Sequence, residues 1–186
     1  MSLSLLLGVI YLISELLLTV TRRSRSRTGT KQDRSTLLAV WLVIIVSVAA
    51  GIYVTKRCPS AALPHHRSFM FGGAALFVTG LFLRWWAIVT LGRFFTVDVT
   101  IEPNHQLIDR GPFRVVRHPS YSGVLLAFVG LALTMGNWAA LLVILAPIGA
   151  AFVHRMNVEE NALSAALGRQ YIDYMRRTKR LVPFIY

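Results

Sequence analysis

FMFGGAALFVTGLFLRWWAIVTL, residues 69–91, carries a single charged side chain, Arg84, in an otherwise apolar run. About 20 apolar residues rising 1.5 Å each cross the ~30 Å hydrocarbon core of a bilayer. This stretch therefore reads as a transmembrane helix, and its neighbours read the same way. Ser2–Val20 and Leu37–Thr55 are two further full-length spans. Ser122–Met135 and Trp138–Val153 are shorter, and Gly136-Asn137 between them is a turn signal. The pattern predicts an all-α integral membrane protein with five transmembrane helices, the last two forming a short helical hairpin. A hairpin that short requires a thinned bilayer, a shield of protein, or a last helix that continues past the lipid.

Composition supports lipid as the solvent. Of 186 residues, 55% are hydrophobic and 15% charged, against about 25% charged in soluble domains. Mean hydropathy is +0.57. The length predicts one membrane domain, 1–186: spans and loops over 1–82, then a catalytic core over 83–186. The net charge of +12 points to an anionic membrane face. It does not point to nucleic acid, because no basic recognition face or RNP-type aromatic motif accompanies it. The single cysteine, Cys58, permits no internal disulfide, and no Cys/His cluster predicts a metal site. The first 20 residues lack a basic n-region and a small-residue cleavage site, so they are expected to stay as a helix. No CaaX box ends the chain.

Basic residues orient the spans. The loop after span one, the linker after span three and the C-terminal tail together hold sixteen Lys and Arg, against three in the loop after span two. The positive-inside rule makes the sixteen-residue side cytoplasmic and leaves the N-terminus outside. RHPSY and the tail then share the cytoplasmic face.

Three groups on that face carry chemistry. In Arg117-His118-Pro119-x-Tyr121-x-Gly123, Pro119 is suited to open a helix at its first turn. The exposed N–H groups of that helix start, with Arg117 and His118 beside them, suit an anion. Gly123 admits a ligand or a second backbone at close range. The second group is Arg155, Glu159 and Glu160 at the end of the last span. Arg155 and Glu159 share a helix face, and Glu160 points away. The third is the polar linker Gly92–Gly111, with Asp98, Glu102, His105 and Asp109, in which VDVTI reads as extended.

Other features have plainer readings. Arg84 either snorkels to the interface or faces a polar cavity. Glu15 reads as snorkelling from the inner end of span one. Gly72, Gly73 and Gly80 read as helix-packing glycines. The absence of G-x-G-x-x-G, P-loop, G-x-S-x-G and H-E-x-x-H removes support for dinucleotide-fold, NTPase, serine-hydrolase and zincin activities. After Glu160, NALSAALGRQYIDYMRRTKRLVPF has helical spacing and predicts one amphipathic helix ended by Pro183.

Taken together, LR (83–84), TLGRFF (90–95), HQLIDRGPF (105–113), RHPSYSG (117–123), R-x3-EE (155–160), G-x2-Y-x2-Y (168–174) and LVPF (181–184) resemble the isoprenylcysteine carboxyl methyltransferase family. The resemblance covers a little over half the chain and implies S-adenosylmethionine-dependent methylation of a carboxylate on a lipophilic or prenylated substrate. It implies catalytic or binding roles for Arg155 and for Glu159 or Glu160, and Arg155 or Arg84 is suited to steer the substrate carboxylate. It implies cofactor contacts from His105, Leu107, Gly111, Arg117, His118, Pro119, Tyr121, Gly123, Glu159 and Glu160. Distant relatives methylate phospholipid amines, and some sterol reductases using NADPH carry a similar RHP-x-Y-x-G. An amine methyltransferase, a reductase and a non-enzymatic membrane scaffold are the alternative readings.

Overall fold

A computed structural model describes residues 2–22, 31–95 and 106–186. It is all-helical: α1 (Leu3–Arg22), α2 (Lys31–Arg57), α3 (His66–Leu91), α4 (Pro119–Thr134), α5 (Trp138–Leu167) and α6 (Arg169–Arg177). Four helices, α1, α2, α3 and α5, are long and apolar enough to cross a membrane; α4 is apolar but has 16 residues. Their outward faces keep large apolar side chains exposed, among them Leu16, Leu42, Phe71 and Phe82. That is the surface expected where lipid replaces water.

The three long N-terminal spans form where the hydropathy places them. The last helices differ from expectation. α5 is not short: it runs 30 residues, from Trp138 through the Arg155 and Glu159-Glu160 motif to Leu167. At 1.5 Å per residue it reaches about 45 Å and outruns the ~30 Å core. The last-span motif therefore sits on a helix already nucleated and held by the bundle. The tail also differs from the single amphipathic helix expected. Gly168 takes φ +56 and breaks the chain between α5 and α6, and α6 stops at Arg177, well before Pro183. A left-handed turn at glycine carries no Cβ penalty, so the break lies where the sequence makes it least costly.

α3 packs along α4, and α2 along α5. The α3–α4 crossing is built from glycines. A Cβ on Gly123 would lie 2.6 Å from both Gly80 O and Arg84 N, and one on Gly73 would lie 2.6 Å from Gly130 O. Gly72, read beforehand with them, faces open space. Gly123 thus serves close approach of a second backbone. Overpacking a close crossing costs about 1–3 kcal/mol, so Gly123→Ala is expected to lower the apparent melting temperature in detergent. Gly72→Ala should leave it unchanged.

The core runs through the bundle: Tyr11, Ile44, Phe77, Phe128, Ile144 and Phe152 are all buried in one cluster. One end of the bundle is closed by polar bonds. The side chain of Asn137 accepts from Ala140 N at 3.0 Å, capping α5, and donates to Cys58 O at 2.8 Å. Leu63 N donates to Gly136 O at 2.8 Å. The α2–α3 loop and the α4–α5 turn therefore meet at that end. The RHPSY segment, the polar end of α5 and the tail meet at the other.

Candidate functional site

Pro119 occupies the first turn of α4, as its fixed φ and missing N–H favour. His118, just outside the helix, is extended enough to bring Arg117 and His118 alongside the tail. There the chain pairs in parallel: Arg117 N donates to Lys179 O at 2.7 Å and His118 N to Arg180 O at 3.0 Å. Ser122 Oγ donates to Leu181 O at 2.6 Å, and Tyr174 OH to Phe113 O at 2.6 Å. Loop and tail are thus one unit.

Glu160 ties this unit to α5. Its Oε1 accepts from Arg117 Nε at 2.9 Å and faces His118 Nε2 at 3.1 Å; its Oε2 accepts from Arg180 Nη2 at 2.5 Å. Arg117 Nη1 also donates to the Met175 and Thr178 carbonyls. Both oxygens of Glu160 are occupied by protein, and its side chain is 8% exposed. The sequence offers Arg117, His118 and Glu160 to a ligand. The folded chain first pairs them with one another, because polar and charged groups near a bundle must be paired to be buried.

Glu159 is different. Its side chain is 30% exposed and borders a cavity opening between the bundle and the tail. Glu159 Oε2 accepts from Tyr121 OH at 3.0 Å, and the same hydroxyl accepts from Arg155 Nε at 3.1 Å. The i,i+4 partnership of Arg155 and Glu159 thus includes Tyr121, brought from α4. His118 Nδ1 lies 3.9 Å from the same Glu159 oxygen. Arg155 is 4% exposed, so its guanidinium works away from bulk water.

Arg84 and Glu15, from the third and first spans, complete the charged lining. Neither snorkels. They are buried together as a two-pronged pair: Nε lies 2.6 Å from Oε1, and Nη2 donates to Oε2 at 2.7 Å. Arg84 Nη1 donates to Ser120 Oγ at 3.1 Å. An ionised side chain in a span is costly alone, and each supplies the other's counter-charge.

The cavity is bordered by Arg84, Arg117, His118, Pro119, Tyr121, Arg155 and Glu159 of the residues read from the sequence, and by Leu107 of the linker. Gly111, Gly123 and Glu160 are not among its lining residues. Gly111 instead starts a 3-10 turn with φ +57, against Thr90. His105, Asp98, Glu102 and the VDVTI segment lie outside the described residues, while Asp109 pairs with Arg177 at 2.8 Å. Sequence reasoning missed the contribution of the first two spans: Tyr11, Glu15, Trp41 and Ile44 reach the cavity. Only Glu15, an acid in an apolar run, carried a visible signal. It also missed Arg180 as the Glu160 partner.

Aromatic residues furnish the rest of the wall: Phe94, Phe95, Phe113, Phe152, Tyr171 and Tyr174. Burial holds the Tyr171 phenol above its ordinary value, and the Glu159 and Glu160 carboxylates push it the same way. It remains a proton donor at neutral pH.

These walls fit S-adenosylmethionine. Aromatic faces suit an adenine and a sulfonium, and Glu159, half-exposed with one oxygen on Tyr121, suits hydroxyl or ammonium donors. Among the described residues no group of three His, Cys, Asp or Glu is placed to hold a metal ion.

Comparison with known proteins gives the family and the fold. The isoprenylcysteine carboxyl methyltransferase (ICMT) family model matches residues 73–165. Protein-S-isoprenylcysteine O-methyltransferase B of Arabidopsis thaliana is 32% identical over 146 residues, covering 77% of this chain and 73% of that protein. Protein-S-isoprenylcysteine O-methyltransferase A of the same plant is 28% identical, covering 97% of this chain and 92% of its own. The solved eukaryotic intramembrane Ras methyltransferase ICMT superposes with a TM-score of 0.58 at 27% identity, over 84% of this chain. The chain spans 53% of the length of that structure. The motifs carried by α3, α4 and α5, the membrane helices that present them and the extent of these matches lead to one statement: the chain belongs to the isoprenylcysteine carboxyl methyltransferase family.

Proposed function

We propose that the protein transfers a methyl group from S-adenosylmethionine to the carboxylate of a lipophilic acid, of which a prenylated cysteine is the type. The observation that carries this reading is the composition of one cavity. Aromatic residues and Glu159 line one part, Arg84 and Arg155 another, and apolar residues of the spans, including Val40, Ile44 and Val124, a third. The first part suits the methyl donor, the second a carboxylate and the third a hydrocarbon tail.

S-adenosylmethionine, when bound, supplies a methyl group already activated on a sulfonium. The residues of this chain then need only hold and align. A carboxylate is ionised at neutral pH, so no general base is required. Arg155, with its planar fork, suits the carboxylate, and Tyr121 keeps that fork in register with Glu159. The aromatic walls keep water from the nucleophile and hold the reactants in line. Leu107, Pro119 and the Arg117-His118 backbone close the cavity on the tail side.

The chain path supports five crossings. The α2–α3 loop and the α4–α5 turn meet at one end and the site forms at the other, so α4, with 16 residues against the 26 of α3, runs back along it from the site end toward the loop end. The side with sixteen basic residues is the site side, and the positive-inside rule supports a cytoplasmic cavity and C-terminal tail with the N-terminus outside.

Titration calorimetry in detergent with S-adenosylmethionine or its demethylated product tests the reading, with NADPH as the control. Binding of the methyl donor and not of NADPH is expected, together with labelled-methyl transfer to a farnesylated cysteine. His118→Ala should weaken donor binding about tenfold, ~1.4 kcal/mol, by loosening the loop against Glu160. A folded sample that binds neither would overturn it.

A further inference from the structure

Glu15 has no role in the mechanism above, yet it lines the cavity beside Arg84. Stability is a poor reason for the pair. Burying two charges costs desolvation that their attraction often fails to recover. The α1–α3 and α1–α4 contacts already have Trp85 Nε1 donating to Ser14 Oγ at 2.9 Å and Tyr11 packed on Phe128 with ring centroids 4.9 Å apart.

The geometry of the pair is specific. Glu15 takes one edge of the guanidinium, Nε and Nη2, in a fork, and Ser120 takes one N–H of Nη1. A guanidinium has five N–H groups. Among the described residues three make no hydrogen bond: Nε, which faces Glu15 Oε1 at 2.6 Å as an ion pair only, and one N–H on each Nη nitrogen. Arg84 therefore presents donors at the cavity while its charge is cancelled by Glu15.

We infer that Glu15 is a positioning residue of the site, which fixes the plane of Arg84 and removes its net charge, so that Arg84 holds the substrate carboxylate by direction and not as a bare counter-ion. The inference rests on the methyl-transfer reading. In that transfer a carboxylate oxygen uses a lone pair to form the O–CH3 bond. The methyl–sulfur bond breaks with its pair left on sulfur, and no proton moves. An anion and a cation both become neutral, so the transition state carries less charge than the bound reactants. An uncompensated arginine in a low-dielectric cavity would stabilise the carboxylate more than the transition state. The substrate would bind tighter and react more slowly. Glu15, supplied by α1, prevents that.

Glu15→Gln keeps the size and one acceptor but leaves Arg84 charged. In detergent, binding of N-acetyl-S-farnesylcysteine should tighten about tenfold by calorimetry, with binding of its methyl ester unchanged. KM and kcat should both fall about tenfold. Glu15→Asp, which keeps the charge but withdraws it by one methylene, should shift the same constants in the same direction by less, and serves if the first variant does not fold. A lowered melting temperature with acid affinity, KM and kcat equal to the parent would overturn the inference and leave a structural pair. Weaker acid binding would overturn it as well. A parent that binds the acid but forms no ester would overturn the methyl-transfer reading with it, and is told apart by the parent alone.

Discussion

Glu160→Ala is expected to cost the protein about 3–5 kcal/mol, the loss typical when one partner of a buried charge cluster is removed. Three donors converge on that carboxylate: Arg117 and His118 from the loop before α4, and Arg180 from the tail. Without it, two guanidinium groups face each other beside His118 in a region mostly closed to water. The loop–tail unit then loses the carboxylate that ties it most closely to α5. The cavity wall it forms should loosen, and S-adenosylmethionine affinity should fall about a hundredfold, ~2.7 kcal/mol. Thermal melting in detergent and calorimetry on the same sample measure both effects. Glu159→Ala separates the two neighbouring acids. Its side chain is more exposed, and Arg155 and Tyr121 remain bonded to each other, so melting should fall less than for Glu160→Ala while donor affinity still falls. Equal melting losses for the two variants would show that Glu160 is not the anchor.

Arg155→Lys should leave donor affinity nearly intact and lower turnover of a lipophilic acid at least about tenfold, the rate equivalent of ~1.4 kcal/mol of transition-state stabilisation. The reason is geometric. Arg155 Nε is used by Tyr121 OH, which in turn donates to Glu159. A planar guanidinium held at Nε keeps its orientation for a carboxylate. A lysine ammonium has neither the plane nor the second prong. Arg155→Ala should be worse, because Tyr121 and Glu159 would then lose a buried cation. Tyr121→Phe removes the hydroxyl between them and should reproduce part of the Arg155→Lys defect without changing charge. Single-turnover kinetics at saturating donor isolate the chemical step. If Arg155→Lys turned over like the parent, the carboxylate-holding role would pass to Arg84.

Hydropathy was enough to locate α1, α2 and α3 within a few residues. In lipid a helix must satisfy its own backbone, so an apolar run of span length has one outcome. Pro119 at the start of α4 and the Gly136-Asn137 turn were legible for the same local reason. The motifs at 117–123 and 155–160 were also visible, and chain order alone put them at one end of the bundle. A last helix continuing past the lipid was one of three courses the short apolar run left open, and the choice among them was not legible: a helix continues past its apolar stretch when tertiary contacts support it, and here Glu160 and the tail do. Partner choice was least legible of all. Whether Arg84 meets lipid phosphate or Glu15, and whether Tyr121 joins Arg155 and Glu159, depends on how each helix is rotated about its axis. That rotation is set where Gly80 and Gly123 let α3 and α4 approach. Periodicity along one segment carries no information about a residue 69 positions away. The sequence by itself determined a membrane helix bundle with its reactive residues at one end. The tertiary structure decided which groups are tied together across the loop, the tail and α5, Arg117, His118 and Glu160 with Arg180, and that of the two adjacent acids Glu159 borders the cavity and Glu160 does not, because only packing chooses between burying a group against its partner and presenting it to a ligand.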